Sequence, residues 1–269
     1  MLRPRIIPCL LIHKGGLVKT KNFKDPKYVG DPINAVRIFN EKEADELMVI
    51  DIDASAKGKK PNFDLISKLA AECQMPLCYG GGVSTVSEAV SLVDMGVEKV
   101  AISNSAVTNP ILISEIASAV GCQSVVVVLD VAKKKGLFST GYEITTINNS
   151  NTYKGDPFEL AKILEDAGAG EIVINSVDND GMMTGYDIEL AQKFHENSQV
   201  PITVLGGAGT TKDMEQIISK LGVIGVAAGS LFVFKGKYRA VLINYPPLDD
   251  KLDICRFALD NSIGRNYDV

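Results

Sequence analysis

Residues 79–105, YGGGVSTVSEAVSLVDMGVEKVAISNS, align without a gap to residues 205–231, LGGAGTTKDMEQIISKLGVIGVAAGSL, at an offset of 126. Gly80 and Gly81 fall on Gly206 and Gly207, Gly96 on Gly222, and Val97 on Val223. A second pair, ELMVIDID (46–53) and EIVINSVD (171–178), matches at an offset of 125. Two similar halves restrict the fold sharply, because each must bury its apolar surface against the other.

Eight short apolar runs fill those halves: RIIPCLL (5–11), ELMVIDI (46–52), MPLCYG (75–80), EKVAIS (98–103), SVVVVLD (124–130), GEIVINS (170–176), PITVLG (201–206) and VIGVAAG (223–229). Helical stretches such as DPINAVRIFNEKEA, STVSEAVSLVDMG, DPFELAKILEDAG and TTKDMEQIISKLG separate them. Several open on Asp, Ser or Thr and close near Gly, as helix caps do. Four such units per half predict a single α/β domain, a (β/α)8 TIM barrel spanning 1–269. A doubly wound open sheet offers no such symmetry. The length of 269 residues suits one barrel.

Composition narrows the partners. The net charge is −5, with 46% hydrophobic and 23% charged residues and no basic stripe. Nucleic acid is therefore not the expected partner, although a local phosphate pocket is compatible with that balance. No apolar run reaches the ~18 residues of a membrane span, and the amino terminus lacks a small-residue cleavage site, so a cytoplasmic location is expected. The five cysteines, Cys9, Cys73, Cys78, Cys122 and Cys255, never form Cys-x-x-Cys and lie mostly in apolar runs, which reads as buried reduced thiols. His13 and His195 lack ligand spacing and read as loop and helix-surface residues, so no metal is expected.

Barrel active sites lie at the carboxyl ends of the strands. There the chain has Gly80-Gly81-Gly82 and Gly206-Gly207-Ala208-Gly209, each leading into a helix that opens on Ser or Thr. The following strands end in Ser103-Asn104 and Gly229-Ser230. Glycine lets backbone amides approach a ligand closely, and helix starts favour anions. A lone Gly-Gly-Gly is an ordinary turn; the same pattern twice, in register, predicts two phosphate cups. Their residues are Gly82, Ser103 and Asn104 in one half, and Gly207, Gly229 and Ser230 in the other. The ligand is then a doubly phosphorylated small molecule.

A set of motifs gives these features a family. IIPCL, LVK, DPINA, ADEL…DIDAS, GGGV, VVVVLD, GEIVINSVDNDG…GYD and GGAG resemble the cyclase subunits of imidazole glycerol phosphate synthase, lyases of histidine biosynthesis on a ribulose-phosphate-binding barrel. The likeness covers residues 2–235, and 236–269 reads as a divergent carboxyl-terminal segment. It implies a heterodimer with a glutaminase subunit and an ammonia channel through the barrel. It also implies attack of ammonia on a bis-phosphate nucleotide, with no cofactor. Aspartates ending strands one and five would act as general acid and base. Asp130 fills the second position, Lys19 matches a substrate-contacting lysine, and Asp51 and Asp180 match mouth positions. On the opposite face Arg5, Glu46, Lys99 and Glu171 match a charged ring that gates ammonia. Glu98 replaces an aspartate at the glutaminase contact.

One departure matters most. Leu11 stands where the strand-one aspartate belongs, and laying RIIPCLL on SVVVVLD sets it opposite Asp130. Asp53 also replaces a small polar residue. The run GLVKTKNFKDPKYVGDPINAVRIFNEKEADEL resembles a diverged branch associated with amidation of bacterial surface sugars, as in lipopolysaccharide with acetamidino groups. The alternatives are an authentic cyclase drawing on Asp51 or Asp53, a non-catalytic scaffold that activates the glutaminase and conducts ammonia, and a sugar-phosphate isomerase. Leu11 counts against the isomerase, since those enzymes also use a strand-one aspartate.

Overall fold

In the computed structural model, residues 3–134 and 140–263 are described, with side chains through 256. Eight strands run parallel: β1 Arg5–His13, β2 Leu47–Asp51, β3 Leu77–Gly80, β4 Lys99–Ile102, β5 Val125–Lys133, β6 Glu171–Ser176, β7 Ile202–Leu205 and β8 Gly225–Ala228. Each pairs with the next, β5 joins the halves by pairing with β6, and β8 pairs with β1 to close the sheet. All eight expected strands are present and closed into a (β/α)8 barrel.

The principal helices are α1 Pro32–Glu41, α2 Phe63–Glu72, α3 Val86–Asp94, α4 Ile111–Val120, α5 Pro157–Asp166, α6 Ile188–Asn197, α7 Thr211–Leu221 and α8 Leu248–Ile263. Their starts are written into the sequence. Asp31-Pro32 and Asp156-Pro157 open α1 and α5 at matching places in the halves, each aspartate accepting from first-turn amides. Thr85 with Glu88 and Thr210 with Asp213 form capping boxes on α3 and α7. The gapless repeat slips here by one residue, since it would set Thr85 on Thr211.

Strand pleating divides the apolar residues into two populations. Ile6, Leu10, Val49, Val100, Val127, Ile172 and Ile174 point outward into the helix-covered core. Ile7, Cys9, Met48, Cys78, Ala101, Val126, Val128, Val173, Leu205 and Ala227 point inward and form a separate apolar column, with Leu11 and Ile50 packed on it.

β1 and β5 run past their expected ends at 11 and 130. β1 turns back into the antiparallel strands Gly16–Lys21 and Lys24–Gly30, and β5 pairs with Tyr142–Thr146 and then Asn151–Thr152. Much of Lys24–Gly30 is exposed and polar, so it carries no alternating apolar signal. Two local expectations need correction. Cys122 is exposed and Cys73 only partly buried, while Cys9, Cys78 and Cys255 are buried as free thiols. His13 belongs to a strand end rather than a loop, whereas His195 lies in the last turn of α6.

The carboxyl-terminal segment seals the seam beside β1. Tyr245 Oη donates to Ile6 O at 2.8 Å and accepts from Asp45 N at 3.1 Å. Buried Lys251 donates to Glu43 O at 2.7 Å and pairs with Asp45 at 3.1 Å. Phe39 and Phe232 flank the Tyr245 ring. Among the described residues, no helix is long and apolar enough to cross a membrane. Tyr245→Phe keeps the ring and strands both hydrogen-bond partners, so it should lower the unfolding free energy by about 1–3 kcal/mol. Urea denaturation measures this, and an unchanged midpoint would assign the seam to ring packing alone.

Candidate active site at the barrel mouth and the charged floor

The carboxyl ends of the strands surround a cavity of ≈ 130 Å³. Its inner wall carries a contrast set by strand register. Leu11 pairs with Ile50 across β1 and β2, and Asp130 pairs with Asn175 across β5 and β6. These are matching positions of the two halves, so one half presents two apolar groups where the other presents a carboxyl and an amide. Asn175 Nδ2 donates to Asp130 Oδ1 at 2.8 Å. Burial pushes the Asp130 carboxyl up to about 7; the Asn175 hydrogen bond opposes the shift and nearby Asp180 adds to it. The side chain is partly exposed to the cavity but lies deep within the barrel.

Lys19 and Asp180, expected as separate ligand contacts, are bound to each other: Lys19 Nζ lies 2.5 Å from Asp180 Oδ1, and both side chains are buried. Thr20 Oγ1 donates to the other carboxylate oxygen at 3.0 Å. The lysine stem crosses Gly229, where a Cβ would meet Lys19 Cδ and Cε at 2.9 Å. Thus the strand that follows β1 reaches the second half, and Lys19, the one lysine lining the cavity among the described residues, already has a counterion there.

The glycine cups differ. Gly82, Ser103 and Asn104 line the main cavity beside Ser55, whose Oγ accepts from Gly82 N at 3.2 Å. Gly207, Gly229 and Ser230 line a much smaller cleft of ≈ 10 Å³ with Lys19 and Asp180. Ser230 Oγ is buried there without a partner among the described residues. The amides leading into α3 and α7 are already engaged: Glu88 accepts from Ser84 and Thr85, and Asp213 from Gly209 and Thr210. The short helices Asn104–Thr108 and Ser230–Val233, by contrast, have no side-chain cap at their starts. Gly207 is also required sterically, since a Cβ would meet Gly185 O at 2.1 Å.

Asp51 lines the mouth and accepts from Asp53 N and Ala54 N, at 2.9 and 3.2 Å. Burial foremost raises its pKa. Asp53 is held by His13 Nδ1 at 2.8 Å, Lys14 N at 2.9 Å and Lys57 Nζ at 2.9 Å. Against the cost of burial, these donors bring it to about 2. Its counterpart Asp178 accepts from Lys133 N at 2.8 Å, so an aspartate pinning the preceding strand end is common to both halves. From the second half, Asn148 reaches over the mouth and donates to Ile52 O at 2.9 Å.

At the opposite end Arg5, Glu46, Lys99 and Glu171 form one closed network. Arg5 bonds Glu46 and, at 2.8 Å, Glu171; Lys99 bonds Glu46 at 2.9 Å and Glu171 at 2.8 Å. Thr203, missed in the sequence, donates to Glu171 at 2.5 Å. Its signal was a polar residue in the apolar run PITVLG. Both glutamates are nearly inaccessible, at 3% and 6%, while Arg5 and Lys99 keep 27% and 19% exposure. Burial would lower the Lys99 pKa, yet Glu171 and Glu46 together raise it. Glu98 is exposed at the rim, and its carboxylate accepts from Leu77 N at 2.6 Å. Asn175, Thr20, Ser55 and Asn148 were likewise absent from the sequence-based set.

The family described as "Histidine biosynthesis protein" matches residues 5–239. The "Putative imidazole glycerol phosphate synthase subunit HisF" of Leptospira borgpetersenii is 55% identical, over 93% of this chain and 98% of its own length. The "Putative imidazole glycerol phosphate synthase subunit hisF3" of Vibrio vulnificus (strain YJ016) is 53% identical, over 93% and 96%. The "Imidazole glycerol phosphate synthase subunit HisF" of Bacillus cereus (strain G9842) is 37% identical, over 86% and 91%.

Asp130 gives a testable pH dependence. Its carboxyl is raised to about 7 in the fold, against ~4 in an unfolded chain. The folded state therefore keeps a proton that the unfolded state has released. The resulting stability is whole below pH ~4 and is lost as pH rises through ~7. Relative to Asp130→Asn, the native protein should lose up to ~4 kcal/mol across that window, less whatever water entering the mouth recovers. Urea unfolding at successive pH values checks it; parallel curves would mean an ordinary carboxyl.

Proposed function

The chain belongs to the histidine biosynthesis protein family, among relatives named as imidazole glycerol phosphate synthase subunits, and on that footing we propose that it is the ammonia-accepting barrel of a glutamine amidotransferase complex with diverged cyclase chemistry. A glutaminase subunit docks at the floor in a heterodimer, with Glu98 at its rim. Ammonia passes the ring of Arg5, Glu46, Lys99 and Glu171 and follows the apolar column to the mouth. The nitrogen serves amidation of a bacterial surface sugar.

The observation that carries this reading is the Leu11–Ile50 pair at the position where the other half has Asp130 and Asn175. Cyclisation and cleavage need proton transfer on both sides of the substrate, and two aliphatic side chains can neither give nor take a proton. Asp130 remains as one acid/base group, with a pKa of about 7 suited to either role near neutrality. Lys19 and Asp180 orient the ligand, and Asp51 faces its polar groups. Gly82, Ser103 and Asn104 hold one phosphate; Gly207, Gly229 and Ser230 hold the other. The unpartnered Ser230 hydroxyl supports the second cup. The higher identity to relatives named "Putative" than to the Bacillus cereus subunit supports a separate branch.

Given ammonia and the histidine-pathway nucleotide, the purified protein should turn over at least ~10²-fold slower than a relative with both aspartates. Turnover within a few-fold of that relative would sink the diverged reading and point to Asp51 as the replacement group.

The floor supplies a second test. Lys99→Ala leaves Arg5 alone against two buried glutamates, so the variant should be destabilised by roughly 3–5 kcal/mol, contrary to a hydrated rim. Gating adds a separate signature. Product made from glutamine should fall relative to product made from free ammonium, because ammonium supplied from the mouth bypasses the floor. Equal loss from both sources, with a lowered melting temperature, would leave the ring a structural cluster only.

A further inference from the structure

Two turns cross the mouth in opposite directions. From the first half, the turn between Gly16–Lys21 and Lys24–Gly30 reaches the wall after β6, where Asn22 Nδ2 donates to Val177 O at 3.0 Å and to Asp178 O at 2.7 Å. From the second half, the turn between Tyr142–Thr146 and Asn151–Thr152 reaches the wall after β2, where Asn148 Nδ2 donates to Ile52 O at 2.9 Å. Ile52 and Val177 are matching positions of the internal repeat, so each half straps the other at an equivalent carbonyl. Phe23 from one turn, and Ile147 and Asn148 from the other, line the main cavity.

The two straps are fastened unequally. Both hold their backbone in the left-handed region: Asn22 and Phe23 at φ 47° and 63°, and Ile147, Asn148 and Asn149 at 52°, 54° and 67°. Asparagine tolerates that region, but a bulky or β-branched side chain is strained there and stays only where its surroundings hold it. The first turn is held several times over. Besides the two amide bonds, Asn22 N donates to Asp180 O at 2.9 Å, and the Asp180 carboxylate binds Thr20 and Lys19 just before the turn. For the second turn, Asn148 is the one hydrogen-bonded tie to the opposite half among the described residues. Ser150 N bonds back to Thr146 O and Ile147 O, within the turn itself. Burial changes at the same point: Thr145 and Thr146 are buried, with Thr145 paired to Asp130 of β5, whereas 148–152 are exposed. Few ties and high exposure mark a segment that opens locally.

We propose that the turn 147–150 is a flap over the first-half side of the mouth, hinged beyond Thr146, and that a ligand enters when Asn148 releases Ile52 O while the Asn22 strap stays fastened. Its seat is fixed, since Ile52 N donates to Ile12 O at 3.1 Å and the adjoining Asp53 is pinned by His13, Lys14 and Lys57. The strained Ile147 backbone favours release, and the single Asn148 bond opposes it. Closed, the flap makes Ile147 and Asn148 part of the cavity wall, where they meet whatever is held beneath. The flap is independent of which nitrogen chemistry the mouth performs.

The chain carries its own reporters. Cys9 lines the main cavity and is 3% exposed, so a reagent reaches it through the mouth. Cys78 is buried in the apolar column and reports loosening of the barrel, while exposed Cys122 reports the reagent itself. The full chain is labelled with N-ethylmaleimide, and each cysteine is followed by mass spectrometry. Asn148→Gly keeps the left-handed backbone unstrained and deletes only the amide. Cys9 labelling should rise roughly 3–10-fold in that variant, as the loss of one hydrogen bond implies, with Cys78 and Cys122 unchanged. Asn22→Gly keeps the backbone bond to Asp180 O and should leave Cys9 labelling as it was. An unchanged Cys9 rate in Asn148→Gly overturns the flap, and so does a parallel rise at Cys78. An equal rise at Cys9 in Asn22→Gly means that both straps give way alike, which overturns entry on one side. Should the glycine variant fail to fold, Asn148→Asp replaces the donor by an acceptor at constant shape and is read in the same way.

Discussion

Closure of the eight strands puts alternate residues of every strand on one axis, and the features of this protein depend on that constraint. Along β1 the inward residues are Arg5, Ile7, Cys9 and Leu11 in succession. They belong in turn to the charged floor, the apolar column and the mouth. A slip of one residue in any parallel pair would reverse its facing. The carboxyl-terminal segment protects this register at the β8–β1 seam, where Tyr245 and Lys251 bond Ile6, Glu43 and Asp45.

Charge is concentrated at the two ends of the axis and solved differently at each. The floor pairs two cations with two nearly inaccessible glutamates, so each carboxylate has both Arg5 and Lys99 as partners. Among the described residues the mouth cavity is lined by three carboxylates, Asp51, Asp130 and Asp180, and one lysine. Lys19 satisfies Asp180, backbone amides satisfy Asp51, and among the described residues the Asp130 carboxyl is met by the Asn175 amide alone. A buried carboxyl with a single neutral donor holds its proton tightly, and the half-barrel symmetry is broken at that same level.

That break is the most informative feature of the site. Both halves keep the aspartate that pins a strand end, Asp53 to Lys14 and Asp178 to Lys133. Both keep glycine loops, capping boxes and a short helix after the fourth strand of the half. They differ in the layer of side chains facing the cavity, as well as in the size of the two glycine cups. The two halves thus keep the same turns and strand order while one carries a polar pair and the other an aliphatic pair, a difference in the site and not in the fold.

The barrel, its strand order, its helix starts and the facing of Leu11 against Asp130 were legible in the sequence. They follow from local signals: apolar runs, Asp-Pro and Thr caps, and a repeat whose two copies must occupy equivalent places. The hairpins after β1 and β5 were not: Lys24–Gly30 and Asn151–Thr152 are largely exposed and polar, and Gly16–Lys21 and Tyr142–Thr146 bury polar residues such as Lys19, Thr20, Thr145 and Thr146 that break any apolar alternation. Nor could the sequence say that Lys19 meets Asp180, that Asn175 steadies Asp130, or that Thr203 completes the floor. Those pairs are separated by 161, 45 and 32 residues. Residue type and periodicity decide which way a side chain faces, but only the curvature and closure of the sheet decide what it meets.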